Sequence, residues 1–288
     1  TQRGTDISDY KFSNKKGQGQ KDYIIKAPMP NIFNGKYTNN DGQAGRMYAT
    51  DAIKNMKNSG SSVSAFISEP ILGCGGQVIL AKGYLKEIYS AIRRQGGVCI
   101  SDEVQTGFGR LGHKFWGFEM HDVVPDIVII GKPMANGHPI GAVVTTSEIA
   151  ESFSKGVEFF SSFGGNPVSC AIGLSVLDVI EEENLQENAK VVGSYYMSLF
   201  KDLQKKHTCI GDVRGFGLFI GIEIVKEHSK EPDTKLAQRI KNELRNKKIL
   251  VGTDGPFNNV IKSKPPLCFT KENAESVVRN IELIINKL

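Results

Sequence analysis

No stretch of this sequence stays apolar for anything near the ~20 residues that a helical membrane span requires. Blocks of like charge are missing too. The 36 basic and 31 acidic residues are interspersed and leave a net charge of only +5. Neither nucleic acid nor a membrane surface is therefore expected as a partner, while small anionic substrates stay compatible with the mild positive excess. Cysteine is sparse. Cys74, Cys99, Cys170, Cys209 and Cys268 are scattered, odd in number and without the paired spacing of a metal site. That usage predicts free thiols in a reduced, cytoplasmic protein and no bound metal. Residues 1–9 lack the apolar core of a secretory leader. This says little, because the chain need not begin at a natural start. Internal repeats and low-complexity tracts are also missing.

What is present predicts an α/β protein. A length of 288 residues suggests two domains. With 40% hydrophobic and 23% charged residues, the chain can bury a large core without staples. Residues 1–46, rich in Gly, Lys, Asn and Gln, read as mostly loop with short extended pieces at 23–25. Helices are expected at 47–58 and 84–95, the second stopped by Gly96-Gly97. Short, continuous, β-branched runs at 64–67, 98–100, 127–130 and 141–145 read as strands covered on both faces of a mostly parallel sheet. Past residue 166, helices are expected at 171–182, 185–205 and 233–247, and strands at 210–213 and 218–225. A last helix is expected after a cap at Thr270, with Val277, Ile281, Ile284 and Leu288 on one apolar face. Residues 1–180 are thus expected to form a large domain, and residues 181–288 a smaller α+β domain.

Two polar residues fall where apolar strands end, Asp102 and Lys132. Ligands of parallel α/β sheets bind outside the carboxyl ends of strands, so the acid and the lysine are candidates for one site. A lysine there can form a Schiff base once its pKa is lowered. A carboxylate can keep a pyridine nitrogen protonated and so make the ring an electron sink. On spacing alone, a solvated lysine and a helix-capping acid would look the same.

The surrounding residues add to this. They are Asp102-Glu103-Val104-Gln105-Thr106-Gly107-Phe108-Gly109-Arg110; Pro125-Asp126-Ile127 running on to Gly131-Lys132 and Asn136-Gly137-His138-Pro139; and Ser161-Ser162-Phe163-Gly164-Gly165-Asn166-Pro167. In this order, over nearly the whole chain, they resemble the class III aminotransferases of fold type I, enzymes of pyridoxal 5′-phosphate (PLP). The resemblance implies a mostly parallel large domain with a smaller α+β C-terminal domain. It implies that Lys132 carries PLP and shuttles a proton, and that Asp102 pairs with the ring nitrogen. Val104 would pack on a ring face, and Gln105 would approach the phenolic oxygen. Ser162, where the family usually has threonine, would reach the cofactor phosphate of a neighbouring subunit, so a homodimer with a shared site is implied. Glu69 lies near the site in relatives, or caps its strand end. His138 and Arg214 are expected to brace loops, and Trp116 to sit in the core.

Relatives also carry a long stretch ahead of the point where Thr1 falls, with a helix-end loop that grips the phosphate and an aromatic that stacks on the ring. Neither is found here, so the chain is expected to be the C-terminal part of a longer enzyme and to bind PLP poorly alone. Two positions bear on the reaction. Many relatives have a glutamate where this sequence has Cys74, and an arginine where it has Lys262. In them the pair forms a switch that grips and releases a carboxylate. Lysine is a point charge and lacks the arginine fork. The tail from Asp254 to Phe269 resembles the phospho-lyase branch, which eliminates phosphate from phosphorylated amino alcohols. The middle, around Ser101 to Gly112, is equally like the alanine–glyoxylate type of transaminase. Both reactions on a small amine stay open with a lean to the lyase, as does an inactive fragment serving only dimerisation or binding.

Overall fold

A computed structural model describes residues 2–13, 16–38 and 42–287 of the chain. Two short helices, α1 (Gln2–Asp6) and α2 (Asp9–Phe12), come first. The extended pieces expected at 23–25 do not form, because a turn closes there, with the Ile24 amide donating to the Lys21 carbonyl at 2.9 Å. Helix α3 (Gln43–Asn58) begins earlier than predicted, directly after Gly42, whose left-handed φ of 92° suits a glycine. Strand β1 (Ala65–Ser68) leads into a tight hairpin of β2 (Ile71–Leu72) and β3 (Val78–Ile79). Each arm of that hairpin is too short to show a period, and glycines fill its turn, so neither strand is signalled by its residues. Helix α4 (Tyr84–Arg94) follows. Its apolar face of Tyr84, Leu85, Ile88, Tyr89 and Ile92 packs with Tyr48, Ala49 and Ala52 of α3.

The first sheet takes the order β1, β4 (Val98–Asp102), β5 (Ile127–Ile130), β6 (Ala142–Thr145). Its first three strands are parallel, and β6 runs antiparallel to β5. Cys99 of β4 belongs to the α3–α4 core, while Val128 and Ile130 of β5 pack against Val176 and Ile180 of a later helix. The fully buried strand expected at 64–67 is instead an edge strand with Ala65 exposed, and Val143 and Val144 on the opposite edge are exposed too. Burial on both faces fails at these positions because they belong to the outer strands of the described sheet.

After α5 (Ser147–Ser154), α6 (Pro167–Glu182) and α7 (Leu185–Lys206) come β7 (Ile210–Phe216) and β8 (Phe219–Ile224). Then follow α8 (Thr234–Asn246), β9 (Gly252–Asp254), β10 (Val260–Ser263) and α9 (Lys271–Ile285). The second sheet is antiparallel in the order β7, β8, β10, β9. Every residue of β8 is buried. Tyr196 and Phe200 of α7, Ile240 and Leu244 of α8, and Ile281 and Ile284 of α9 share one core with Ile220, Ile222 and Ile261. Thr270 caps α9 as expected, its hydroxyl accepting the Asn273 amide at 3.2 Å. Leu288 lies outside the described residues. Strands β9 and β10 went unread because Gly-Thr-Asp has no apolar pattern and Val-Ile-Lys-Ser is interrupted by a lysine.

Arg214 of β7 ties the second sheet to the β2–β3 hairpin. Its Nη1 donates to Glu223 at 2.6 Å and to Asp212 at 2.9 Å, and its Nε and Nη2 both donate to the Gly76 carbonyl of the β2–β3 turn, at 3.0 and 2.6 Å. Arginine and Glu223 are both buried. Removing one partner of a buried pair strands the other charge. Arg214→Met should therefore lower stability by about 3–5 kcal/mol in urea unfolding, and a loss below about 1 kcal/mol would show the pair to be dispensable.

Candidate active site

Strands β4 and β5 pair in parallel with Asp102 opposite Ile129, so their carboxyl ends lie side by side. Asp102 closes β4. Lys132 stands just past β5 and opens a short 3-10 turn, Lys132–Ala135, with Pro133 at its start. The Val104 amide donates to Asp102 Oδ1 at 3.0 Å. Oδ2 accepts no hydrogen bond among the described residues. Val104 in turn lies over Gly131, where a side-chain carbon would meet its isopropyl group at 3.4 Å. Asp102 is half-buried and Lys132 exposed.

Strand alternation sends the next residue, Glu103, to the opposite side. It is fully buried and accepts from the Thr106 hydroxyl at 2.6 Å, the Phe118 amide at 2.8 Å, the Gly117 amide at 2.9 Å and the Ser101 hydroxyl at 3.2 Å. Four donors make this buried carboxylate the peg that holds the turn carrying Val104 and Gln105. The sequence reading passed it over, although an acid in the middle of an apolar strand end was the available sign.

A second group meets the pair from the β1–β2 connection and from the segment after β10. Gln105 Nε2 donates to Glu69 Oε1 at 3.2 Å, and Lys264 Nζ donates to Gln105 Oε1 at 2.6 Å. The Gly73 amide donates to the other oxygen of Glu69 at 3.0 Å. A side-chain carbon on Gly73 would stand 2.7 Å from Gln105 Nε2 and 3.0 Å from Glu69 Oε1, so those side chains would have to shift. Burial, helped by the charge of Asp102, pushes the Glu69 carboxyl up to about 7, against the pull of Gly73, Lys264 and Lys132. Burial likewise pushes Lys264 down to about 8. Asp102, Lys132, Glu69, Gln105 and Lys264 therefore share one electrostatic neighbourhood.

Cys74 is exposed, and partial burial together with Asp254 and Glu69 raises its thiol above the ordinary value. Lys262 pairs with Asp254 Oδ1 at 3.0 Å, while Gln77 Nε2 donates to Asp254 Oδ2 at 2.8 Å. Ser162 is exposed and, among the described residues, forms no hydrogen bond to this cluster; Phe159, Phe160 and Phe163 around it are exposed as well. His138 fastens its loop to α6, with Nε2 at 2.7 Å from the Ser169 hydroxyl. Trp116 stacks edge-on with Phe108 and Phe115 and is only partly buried. Arg110, unremarked in the sequence, donates to the carbonyls of Leu218 at 3.1 Å and Pro265 at 2.6 Å, and so fixes the strand-end segment that carries Lys264.

The chemistry of this donor set fits PLP. Asp102 keeps one oxygen free for a pyridinium nitrogen, Lys132 offers an amine, Val104 an apolar flank and Gln105 an amide. No metal-type cluster of His, Cys, Asp or Glu occurs among the described residues, and no described helix is long and apolar enough to cross a membrane.

Comparison with known proteins gives a consistent result. Residues 9–285 match the family Aminotransferase class-III. A Drosophila melanogaster protein named alanine–glyoxylate aminotransferase 2-like is 47% identical over 94% of this chain and 56% of its own length. A Caenorhabditis elegans protein named ethanolamine-phosphate phospho-lyase homolog 1 is 43% identical over 97% of this chain and 63% of its own. Among solved structures, a phospholyase from Arthrobacter in complex with phosphoethanolamine superposes with a TM-score of 0.85 at 36% identity, over 94% of this chain and 64% of that one. The chain thus spans less than two thirds of the length of each.

Proposed function

The chain belongs to the class III aminotransferases, PLP enzymes of fold type I, and from that premise we propose that it forms part of an enzyme that removes phosphate from a small phosphorylated amino alcohol. The observation that carries this reading is the identity of the cation beside Gln105. It is a lysine, Lys264, and Arg214, the other candidate for an anion, is consumed by Glu223, Asp212 and Gly76. Carboxylate recognition favours a planar fork with two parallel N–H donors, whereas a phosphate accepts well from a point charge. The Arthrobacter neighbour bound to phosphoethanolamine and the nematode relative support the same reading.

PLP, when bound, supplies a carbonyl for the substrate amine and a ring that withdraws electrons from the carbon beside it. Lys132 would hold the cofactor and then take the proton from that carbon at Nζ. Asp102 Oδ2 would keep a proton on the ring nitrogen, and Val104 would keep water from one ring face. Loss of phosphate from the neighbouring carbon, followed by addition of water, leaves ammonia and an aldehyde. No oxo acid is needed, so a chain with Cys74 and Lys262 in place of the glutamate and arginine forfeits nothing. Ser162, on an exposed segment with three exposed phenylalanines, would serve the cofactor phosphate of a second copy in a homodimer. The division into a cofactor-binding part and a smaller C-terminal part would fall at 180/181, in the last turn of α6.

Transamination is the second reading, favoured by the identity to the alanine–glyoxylate aminotransferase 2-like protein. The full-length protein, loaded with PLP and given phosphoethanolamine, should release inorganic phosphate without any oxo acid present. Brisk amino transfer to pyruvate or glyoxylate with no phosphate released would replace the lyase reading with the transaminase one.

A further inference from the structure

Two lysines reach the same end of the second sheet, and their surroundings differ. Lys262 has a carboxylate at 3.0 Å, and Gln77 pins the far oxygen of that carboxylate. Its stem lies across Gly252, where a side-chain carbon would come within 2.5 Å of Lys262 Cε. An anion arriving at Lys262 would have to displace Asp254 or share the ammonium with it, against like-charge repulsion. Lys264 has no such counter-ion among the described residues. Its Nζ sits 4.1 Å from the centre of the Phe219 ring and 2.6 Å from the amide oxygen of Gln105. An ammonium has three donors, and neither neighbour carries a full negative charge. Burial without a paired anion makes such a cation costly in the empty site and correspondingly receptive to one.

We infer that Lys264, rather than Lys262, receives the anionic group of the substrate, and that Gln105 reports its occupancy to Glu69. The inference rests on the phospho-lyase reading for the identity of the anion as a phosphate monoester. Gln105 is the link because its two amide ends are committed in opposite senses, the oxygen to Lys264 and the nitrogen to Glu69. A phosphate oxygen at Lys264 carries charge of the same sign as the Gln105 amide oxygen, so it weakens that bond and loosens the grip on Glu69. Arg110, holding the Pro265 carbonyl at 2.6 Å, keeps Lys264 aimed at this position rather than out to solvent.

The test compares Lys264→Met, which keeps the aliphatic stem over Phe219, with Lys264→Arg and Lys262→Met, all in the full-length holoenzyme. The readouts are the dissociation constants of inorganic phosphate and of phosphoethanolamine, measured by calorimetry, with melting temperature as the check on folding. Lys264→Met should weaken both ligands at least about tenfold, Lys264→Arg should restore most of the loss, and Lys262→Met should stay within about threefold of wild type. Weakening by Lys262→Met with Lys264→Met unchanged would overturn the inference, as would equal losses in both. If Lys264→Met unfolds, Lys264→Arg and Lys262→Met still decide it: a loss of phosphate affinity confined to Lys262→Met refutes the assignment, and its absence there sustains it. Should wild type bind phosphate through Lys264 yet turn over only amino and oxo acids, the lyase reading fails while the anion site stands. Should it release phosphate with Lys264→Met binding normally, the site fails while the lyase reading stands.

Discussion

Lys132→Ala in the full-length, PLP-loaded protein is expected to lower turnover by on the order of ten-thousandfold and to abolish borohydride-stable attachment of the cofactor. The size follows from the two roles proposed for one Nζ, anchoring the cofactor and moving the substrate proton. The rival amine is Lys264. Its lowered pKa, about 8, would suit a nucleophile better than an ordinary lysine. Its position argues otherwise, since its ammonium is held by Gln105 and the Phe219 ring and the residue follows the end of β10 in the second sheet. Lys132 instead leaves the end of β5 beside Asp102 at the end of β4. Reduction of the wild-type holoenzyme followed by peptide mapping separates the two, and a pyridoxyl label on any lysine other than Lys132 would end the assignment.

Asp102→Asn should slow turnover by on the order of a thousandfold while leaving the fold intact. In the structure Asp102 does one local job, accepting the Val104 amide through Oδ1 at 3.0 Å. An asparagine carbonyl can accept the same bond, so the turn survives the change. What disappears is the charge that Oδ2 would present to a protonated ring nitrogen. A melting temperature close to wild type together with a large fall in turnover is the expected pattern. Turnover within tenfold of wild type would remove Asp102 from its role at the ring.

The strand ends were legible because their chemistry is local. Four apolar residues followed by Gly131-Lys132 define β5 with the bounds the sequence suggested, and Thr270 marks the start of α9 through its own hydroxyl. Asp102, Val104, Gln105 and Lys132 could be singled out for the same reason, as residues of short contiguous motifs. The rest depended on who meets whom across the fold. Nothing near Lys262 in sequence says that Asp254 on β9 will neutralise it while Lys264 turns toward Gln105, because β9 and β10 carry no period to betray their pairing. Glu103 gains its meaning from Gly117 and Phe118, and Arg214 from Gly76, contacts that span 14 to 138 positions of chain.

The β2–β3 hairpin illustrates such a contact at larger scale. It grows from β1, yet its turn is fastened to the second sheet by Arg214 on Gly76, by Gln77 on Asp254 and by the Gly255 amide on the Cys74 carbonyl at 3.0 Å. Glu69, at the root of the hairpin, stays with the first sheet. Any rocking of one sheet against the other would therefore move Cys74 and Gly76 as passengers of the second sheet and leave Glu69 behind. Gly73 sits between the two holds, its amide on Glu69 and its carbonyl on the Gln77 side chain.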